Sequence, residues 1–342
     1  MKHKVIRQSK INSISKIQNE EKKNAYILLD TNSMKLIPVD KRMLNIGSKL
    51  DFKLFSIEKK THMSLFLQAD SIIDKEQKQK LKYIEQVYTL ESEKDKYNNF
   101  LETHIQDIIK EKNLTLDEKT DIIYEASTDL TKELYSNPDA LKNANLSENI
   151  ITPILETVLS SQDTISSYIK IIEYDYYTHT HSLNVSIYAL CLGAELKLDK
   201  NKLTSLGRSA LLHDIGKSKI DPKIVNKNGM LSDEEYEIMK KHPSYGYELV
   251  NSYNILDEDI LDGIKHHHEK IDGRGYPDHL SHKQIGLFPR IISICDVFDA
   301  LTTQRSYKKA MHSYDALTLM KTSMSAHFDT KFLNTFIKML HP

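Results

Sequence analysis

Apolar and polar positions change their rhythm along this chain. Residues 1–23 hold Lys, Asn, Ser and Gln with isolated Ile, a pattern that predicts a mobile tail. Short apolar runs then alternate with polar turns. Tyr26-Ile27-Leu28-Leu29 and Lys35-Leu36-Ile37-Pro38-Val39 flank the polar stretch 30–34. Phe52-Lys53-Leu54-Phe55-Ser56-Ile57 and Met63-Ser64-Leu65-Phe66-Leu67 flank another. Both pairs read as short strands in hairpins. Residues 72–113 are highly charged with scattered Leu, Ile and Tyr, which predicts helix. Thr115-Leu116-Asp117-Glu118 is a capping-box pattern, because Thr115 can accept a backbone amide and Glu118 can reach back. An apolar face of Ile123, Ala126, Leu130 and Leu134 follows at helical spacing. Asn137-Pro138 ends that helix, and the domain boundary is placed near residues 137–147.

From Ser147 onward the pattern is helical throughout. Ile154, Leu155, Val158 and Ile165 open one helix, and Leu183, Ile187, Leu190 and Ala194 line another. Leu203, Leu206, Ala210 and Leu211 lead into His213-Asp214. Ser232-Asp233-Glu234-Glu235 is a second capping box, opening a helix towards His242. The expected fold is mainly α. A tail (1–23) precedes a small α+β and helical domain (24–140), which precedes an all-helical domain (147–342).

The chain has 342 residues, which suits two domains. With 39% hydrophobic and 28% charged residues it is an ordinary globular balance. A net charge of -1 argues against a nucleic-acid polymer as partner. Two cysteines, Cys191 and Cys295, cannot build a disulfide framework, so the chain reads as belonging to a reducing compartment. It contains no apolar run long enough for a membrane span and no apolar core of a signal peptide near Met1. A cytoplasmic protein is expected. Gly-rich phosphate loops of the dinucleotide and NTPase kinds are absent.

The 15 histidines are unevenly placed: only His3, His62 and His104 precede residue 179. Such clustering suggests metal or acid–base chemistry in the C-terminal part. His213-Asp214 ends an apolar helical run, with Lys217 three residues on. Adjacent helical residues point about 100° apart, so the pair can approach a metal centre from two sides. Asp214 and Lys217 share a face. A carboxylate there can bridge two divalent ions, and the lysine can neutralise a phosphate. His181, His242, His266-His267-His268-Glu269 and Asp296 extend the set. Imidazole with carboxylate suits Fe, Mn, Zn or Ni, and about seven such ligands exceed one tetrahedral zinc and fit two metals. Cys295, inside the apolar run 291–300, reads as a buried thiol.

These stretches resemble the HD-GYP family, a subset of the HD phosphohydrolase superfamily. The resemblance is carried by Tyr177-Thr178-His179-Thr180-His181-Ser182, Leu211-Leu212-His213-Asp214-Ile215-Gly216-Lys217, and His242-Pro243 with Gly246. It continues through His267-His268-Glu269, Asp272-Gly273-Arg274-Gly275-Tyr276-Pro277, Asp296-Val297-Phe298-Asp299-Ala300-Leu301, and Arg305-Ser306-Tyr307-Lys308. The order holds over about residues 150–330, so the C-terminal domain is expected to be of the all-helical HD type.

What the resemblance implies is a metal-dependent phosphodiesterase hydrolysing cyclic di-GMP to pGpG or GMP by a metal-activated hydroxide. It puts His181, His213, Asp214, His242, His267, His268 and Asp296 at metal-ligand positions, with Asp214 bridging. Asp214 and Lys217 become the catalytic pair, Lys217 contacting the scissile phosphate. Arg305 and Lys308 fall on substrate-phosphate contacts. Gly275, Tyr276 and Pro277 form the signature loop, linked to substrate and to protein partners. Two ions, Fe or Mn, are implied. Tyr177 stands where some members carry a third-metal glutamate, which argues against a third ion. His266 is read as lying outside the ligand set, facing solvent or backing it. Ile271, Arg274 and Asn228-Gly229 depart from the commoner residues without touching the ligands. Hydrolysis of another cyclic dinucleotide such as cyclic GMP-AMP, or silent binding of cyclic di-GMP by an effector, are the alternatives. The N-terminal domain is expected to be regulatory, with a homodimer through residues 74–135 as one arrangement.

Overall fold

The computed structural model describes residues 35–58, 62–142, 145–161, 163–172, 178–253, 257–304 and 309–340. The expected tail and the expected strand at residues 26–29 lie outside this set. Internal contacts divide the chain into two compact units, with the division between Tyr97 and Asn98. The helix at Leu116–Ser136, grouped from sequence with the N-terminal domain, belongs to the second unit. Its buried face of Ile122, Ile123, Ala126, Leu130 and Leu134 packs on helices of that unit.

The first unit is built on antiparallel strands. They are β1 (Leu36–Val39), β2 (Lys49–Leu50), β3 (Leu54–Glu58), β4 (His62–Leu67), β5 (Ser71–Ile72) and β6 (Val87–Leu90). The four-stranded sheet has the order β1-β6-β3-β4, and β2 pairs with β5. β3 and β4 form the hairpin that the sequence pattern predicts, with Ser56 opposite Ser64. The helix expected across 72–113 is instead interrupted. Helix α1 (Lys75–Leu81) opens on an Asp74–Gln77 capping box, and β6 follows as an inner strand between β1 and β3. The reason is local: Val87 and Thr89 are buried while Tyr88 and Leu90 are less so, a period of two that suits a strand. Val39, Leu44, Leu50, Phe52, Leu54 and Val87 are fully buried in this unit. Tyr97 packs edge-on to Phe52 at 5.6 Å, and its hydroxyl accepts from the Asp40 amide.

Among its described residues the second unit is helical throughout, without a strand. Helix α2 (Lys94–Lys110), within which the division falls, leads to α3 (Leu116–Ser136), α4 (Leu146–Ser160), α5 (Thr164–Ile172), α6 (Thr178–Glu195) and α7 (Lys200–Leu212). Then come α8 (Pro222–Val225), α9 (Asp233–Met239), α10 (His242–Asn251), α11 (Glu258–His266), α12 (Leu287–Thr302), α13 (Ser313–Thr322) and α14 (Thr330–Leu340). Both predicted capping boxes form, Thr115 with Glu118 and Ser232 with Glu235. The single helix expected over Ile154 to Ile165 is two, α4 and α5. Short polar side chains compete for the backbone there: Ser160 and Thr164 both donate to the Thr157 carbonyl.

Helix α6 is the axis of this unit. Every residue from Thr180 to Gly193 is buried, as expected of a helix walled in on all sides. It packs against α3, α4, α7, α12 and α14. Tyr188, Phe298 and Phe336 meet edge to face with centroids 5.1–6.0 Å apart. Each such side chain contributes about 1.5–3 kcal/mol by its burial. This core fixes α6, α7 and α12, and the polar cluster described next sits on all three.

Candidate metal centre

His181 stands on α6, where the surrounding helices leave it 1% exposed. His213 is the C-cap of α7. Asp214 follows it and heads a short 3-10 turn (Ile215–Lys219) that carries Lys217. His242 begins α10, three residues beyond the end of α9. His267 is the C-cap of α11, with His268 next. Asp296 lies on α12. All seven sequence-predicted ligand positions are therefore brought together. They fall into overlapping groups: His181, His213 and Asp296; His242, His267 and His268; and His213, Asp214 and His267, each with candidate ligand atoms within 4.8 Å of one another.

The approach of these turns depends on one glycine. A Cβ at Gly216 would lie 2.0 Å from the His242 carbonyl oxygen and 2.3 Å from the Gly246 amide nitrogen. Any side chain there would push the Asp214 turn off α10.

Three histidines are anchored in the same way. The Nδ1 atoms of His213, His242 and His267 lie 2.7, 2.8 and 2.8 Å from the carbonyls of Ala210, Met239 and Ile264. Each carbonyl belongs to the last turn of a helix, where the backbone lacks an intrahelical donor. A carbonyl only accepts, so each Nδ1 carries the proton and each Nε2 presents a lone pair to the cluster. His181 is anchored by a side chain instead. Its Nδ1 donates to Asp299 Oδ2 at 2.6 Å, and Asn184 donates to Asp299 Oδ1 at 3.0 Å. The Tyr124 hydroxyl donates to Asn184 Oδ1 at 2.8 Å.

The inward atoms are electron-rich and close. His242 Nε2 is 3.2 Å from His267 Nε2 and 3.1 Å from Asp214 Oδ1. His181 Nε2 is 3.1 Å from Asp296 Oδ1. His213 Nε2 is buried with no hydrogen-bond partner. Lone pairs in such contact call for a cation between them. Burial pushes the His213 and His267 imidazoles towards neutrality, His267 far below the usual range, so protons are not that cation. Burial also lowers His268, to about 3. The C-termini of α7 and α11, capped by His213 and His267, add negative potential of their own. Burial works against charge on Asp214 and Asp296, but Lys217 and the histidines around Asp214 and His181 and His268 around Asp296 outweigh it, leaving both carboxyls ionised well below the ordinary range. The donor set fits divalent metal ions.

Asp214 has the geometry of a bridge. Its Oδ1 faces His242, while its Oδ2 lies 3.7 Å from His181 Nε2 and 3.5 Å from His213 Nε2. The Lys217 ammonium sits 2.5 Å from the same Oδ2. Lys217 and His268 are the partly open members, with side chains 19% and 26% exposed.

A profile of the HD domain family matches residues 160–332. The chain belongs to the HD domain family. Among curated relatives of this HD domain, a "Cyclic di-GMP phosphodiesterase PA4108" of Pseudomonas aeruginosa is 34% identical over 199 residues, 58% of this chain and 48% of that one. "Cyclic di-GMP phosphodiesterase response regulator RpfG" of Xanthomonas campestris is 32% identical, over 57% of this chain and 52% of its own. "3'3'-cGAMP-specific phosphodiesterase 3" of Vibrio cholerae is 28% identical, over 70% and 53%. The chain thus spans about half the length of the curated relatives it matches. The solved structure of Bd1817, described as a HDG"Y"P protein from Bdellovibrio bacteriovorus, shares the fold with a TM-score of 0.65 at 21% identity, over 90% of this chain and 100% of that one.

Other predicted residues fall elsewhere. Gly275 is buried and Tyr276 is partly open, its ring 4.8 Å from that of His268. Arg305, Lys308 and Tyr177 lie outside the described residues. His266 turns away from the cluster: its two ring nitrogens meet Asp262 at 2.6 Å and Asp278 at 3.0 Å. Burial opposes its proton, and these two carboxylates more than compensate. Cys295 is a fully buried thiol behind Asp296. Among the described residues no helix is long and apolar enough to cross a membrane. Sequence reasoning assigned no role to Asp299, Asn184 or Glu269. A signal was there: Asp299 follows Asp296, and Asn184 follows His181, by three positions, which puts each pair on one helical face.

Proposed function

We propose that the chain is a metal-dependent phosphodiesterase that hydrolyses cyclic di-GMP to pGpG or GMP. The observation that carries this reading is Asp214, whose two oxygens face separate histidine groups while Lys217 stands beside it at the open side. His181, His213 and Asp296 would hold one ion, His242, His267 and His268 the other, with Asp214 shared. Fe or Mn suits such histidine-rich donors. Bound there, the two ions would activate water and neutralise charge on a phosphate. Lys217 reaches the open side and donates to a phosphate oxygen as negative charge builds on it. Arg305 and Lys308 hold the remaining phosphate oxygens, and Gly275 and Tyr276 border the bound nucleotide. The loop at 275–277 is also the surface read as docking a protein partner, and the N-terminal part as regulating the site.

A second reading, hydrolysis of cyclic GMP-AMP, is favoured by the likeness to the Vibrio cholerae enzyme named for that substrate. The test is to purify the chain anaerobically, load it with Mn or Fe, and supply each cyclic dinucleotide. Products are followed by chromatography, with Asp214→Ala alongside and metal content measured on both. Metal-dependent pGpG or GMP, absent in the variant, is expected. Full activity in Asp214→Ala removes the bridging role. Preferential cleavage of cyclic GMP-AMP reverses the order of the two readings. Bound but uncleaved nucleotide turns the protein into a receptor.

A further inference from the structure

Four of the five clustered histidines have a hydrogen-bonded Nδ1, three on backbone carbonyls and one on Asp299. His268 does not. Among the described residues no hydrogen bond reaches its ring, and its Nδ1 is 3.7 Å from Asp296 Oδ2. Rings surround it instead: His267 at 4.2 Å, Tyr276 at 4.8 Å with 33° between planes, and His242 at 5.0 Å. Tyr276 is the neighbour that belongs to none of the ligand groups.

The loop carrying Tyr276 is strapped to the turn that carries His268. The Tyr276 amide donates to the His268 carbonyl at 3.3 Å, and the Asp278 amide donates to Glu269 Oε1 at 2.7 Å. Asp278 Oδ2 accepts from Lys265 Nζ at 2.6 Å and pairs with His266 Nε2 at 3.0 Å. Asp262 holds the other side of His266. Gly275 lies flush against this turn, since a Cβ there would be 2.4 Å from Glu269 Cα. Contacts on both flanks of Tyr276 thus fix its ring on the partly open His268.

We propose that Tyr276 is a positioning residue for His268. Its ring restrains the orientation of this histidine, as a hydrogen bond to Nδ1 does for the other four, and the Lys265–His266–Asp278 contacts keep the ring in place. The inference rests on the reading of the cluster as a metal site and is independent of which nucleotide is cleaved. Hydrogen-bonding partners that orient metal ligands are worth about 10–100-fold in metal affinity, and the ring is expected to act on the same scale.

The test uses the full chain stripped with chelator, titrated with Mn²⁺ in the absence of nucleotide and followed by calorimetry. Tyr276→Ala is expected to weaken one Mn²⁺ binding event about 10–100-fold, in the same step that His268→Ala removes. Tyr276→Phe keeps the ring and is expected to bind as the native chain does. Mn²⁺ binding by Tyr276→Ala equal to that of the native chain overturns the proposal, whatever happens to turnover. If Tyr276→Ala loses its far-ultraviolet helical signal, Asp278→Asn decides instead, because it loosens the strap and leaves the ring. Weaker Mn²⁺ binding there supports the proposal, and unchanged binding overturns it. Failure of the native chain itself to bind Mn²⁺ removes the metal-site reading beneath it.

Discussion

His181, His213 and Asp296 belong to α6, α7 and α12, helices of 18, 13 and 16 residues. His242, His267 and His268 belong to the ends of α10 and α11, helices of 10 and 9 residues. The first group is clamped by the aromatic core, by the Tyr124–Asn184–Asp299 relay and, at His213, by a helix-end carbonyl. The second is held by helix-end carbonyls and, at His268, by a loop. Packing alone can keep buried ligands in place where long helices cross. At the open side the same rigidity has to be assembled from local contacts.

Lys217 probes the boundary between the groups, and it should give the largest effect. Lys217→Ala is expected to keep both metals and lose about 10²–10³-fold in turnover. Metal loss in that variant, seen by elemental analysis, would mean the inner group depends on its partner lysine. Asp299→Ala tests the inner clamp directly. It leaves His181 Nδ1 and Asn184 Nδ2 buried without their acceptor, at about 1–3 kcal/mol of stability each, and should weaken one metal by about 10–100-fold. Chemical denaturation and metal titration read the two effects separately. An unchanged titration would show that α6 orients His181 unaided.

Acid should reach both groups. His268, lowered to about 3, and His267, lowered well below its ordinary value, stay neutral in the fold, whereas the unfolded chain takes up their protons below the ordinary value of 6.5. The unfolded state then binds more protons, so the contribution of these two histidines to stability falls as pH drops from 6.5 towards 3, whereas His266, whose proton the fold favours, stabilises at acid pH and loses that contribution as pH rises above 6.5. Asp214 and Asp296, held well below 3.8, add a further loss once the pH falls beneath that value. Melting temperatures of chelator-treated protein between pH 7 and pH 5 check this, and a flat profile contradicts it. The smallest effect belongs far from either group. Thr115→Ala breaks the cap of α3 and should cost about 1 kcal/mol with metal binding untouched. Altered metal affinity would show that the site feels the far end of that helix.

Much of this was legible in residue order. Capping boxes at Thr115 and Ser232 depend on neighbours within one turn, and both form. The residues of the cluster were legible from the crowding of histidine after residue 179 and from the motifs shared with the HD-GYP family. β6 was not legible, since its four residues lie in a charged stretch and gain strand character only by pairing with β1 and β3. The division of α4 from α5 hid in side-chain bonds to the Thr157 carbonyl. Asp299 was visible in the motif, but its task depends on α12 lying across α6, a fact of packing.

Histidine at 213, 242 and 267 has a structural reason beside the proposed metal binding. An imidazole has two nitrogens on different edges of one rigid ring. One finishes a helix whose last carbonyls lack donors, and the other faces inward. A thiolate or a carboxylate could face inward, but neither has a proton to give the carbonyl behind it. His213→Asp would therefore set two acceptors against each other at Ala210 even if the metal accepted the exchange. Helix termination and the proposed metal ligation are written in the same three letters of the sequence, and neither can drift without the other.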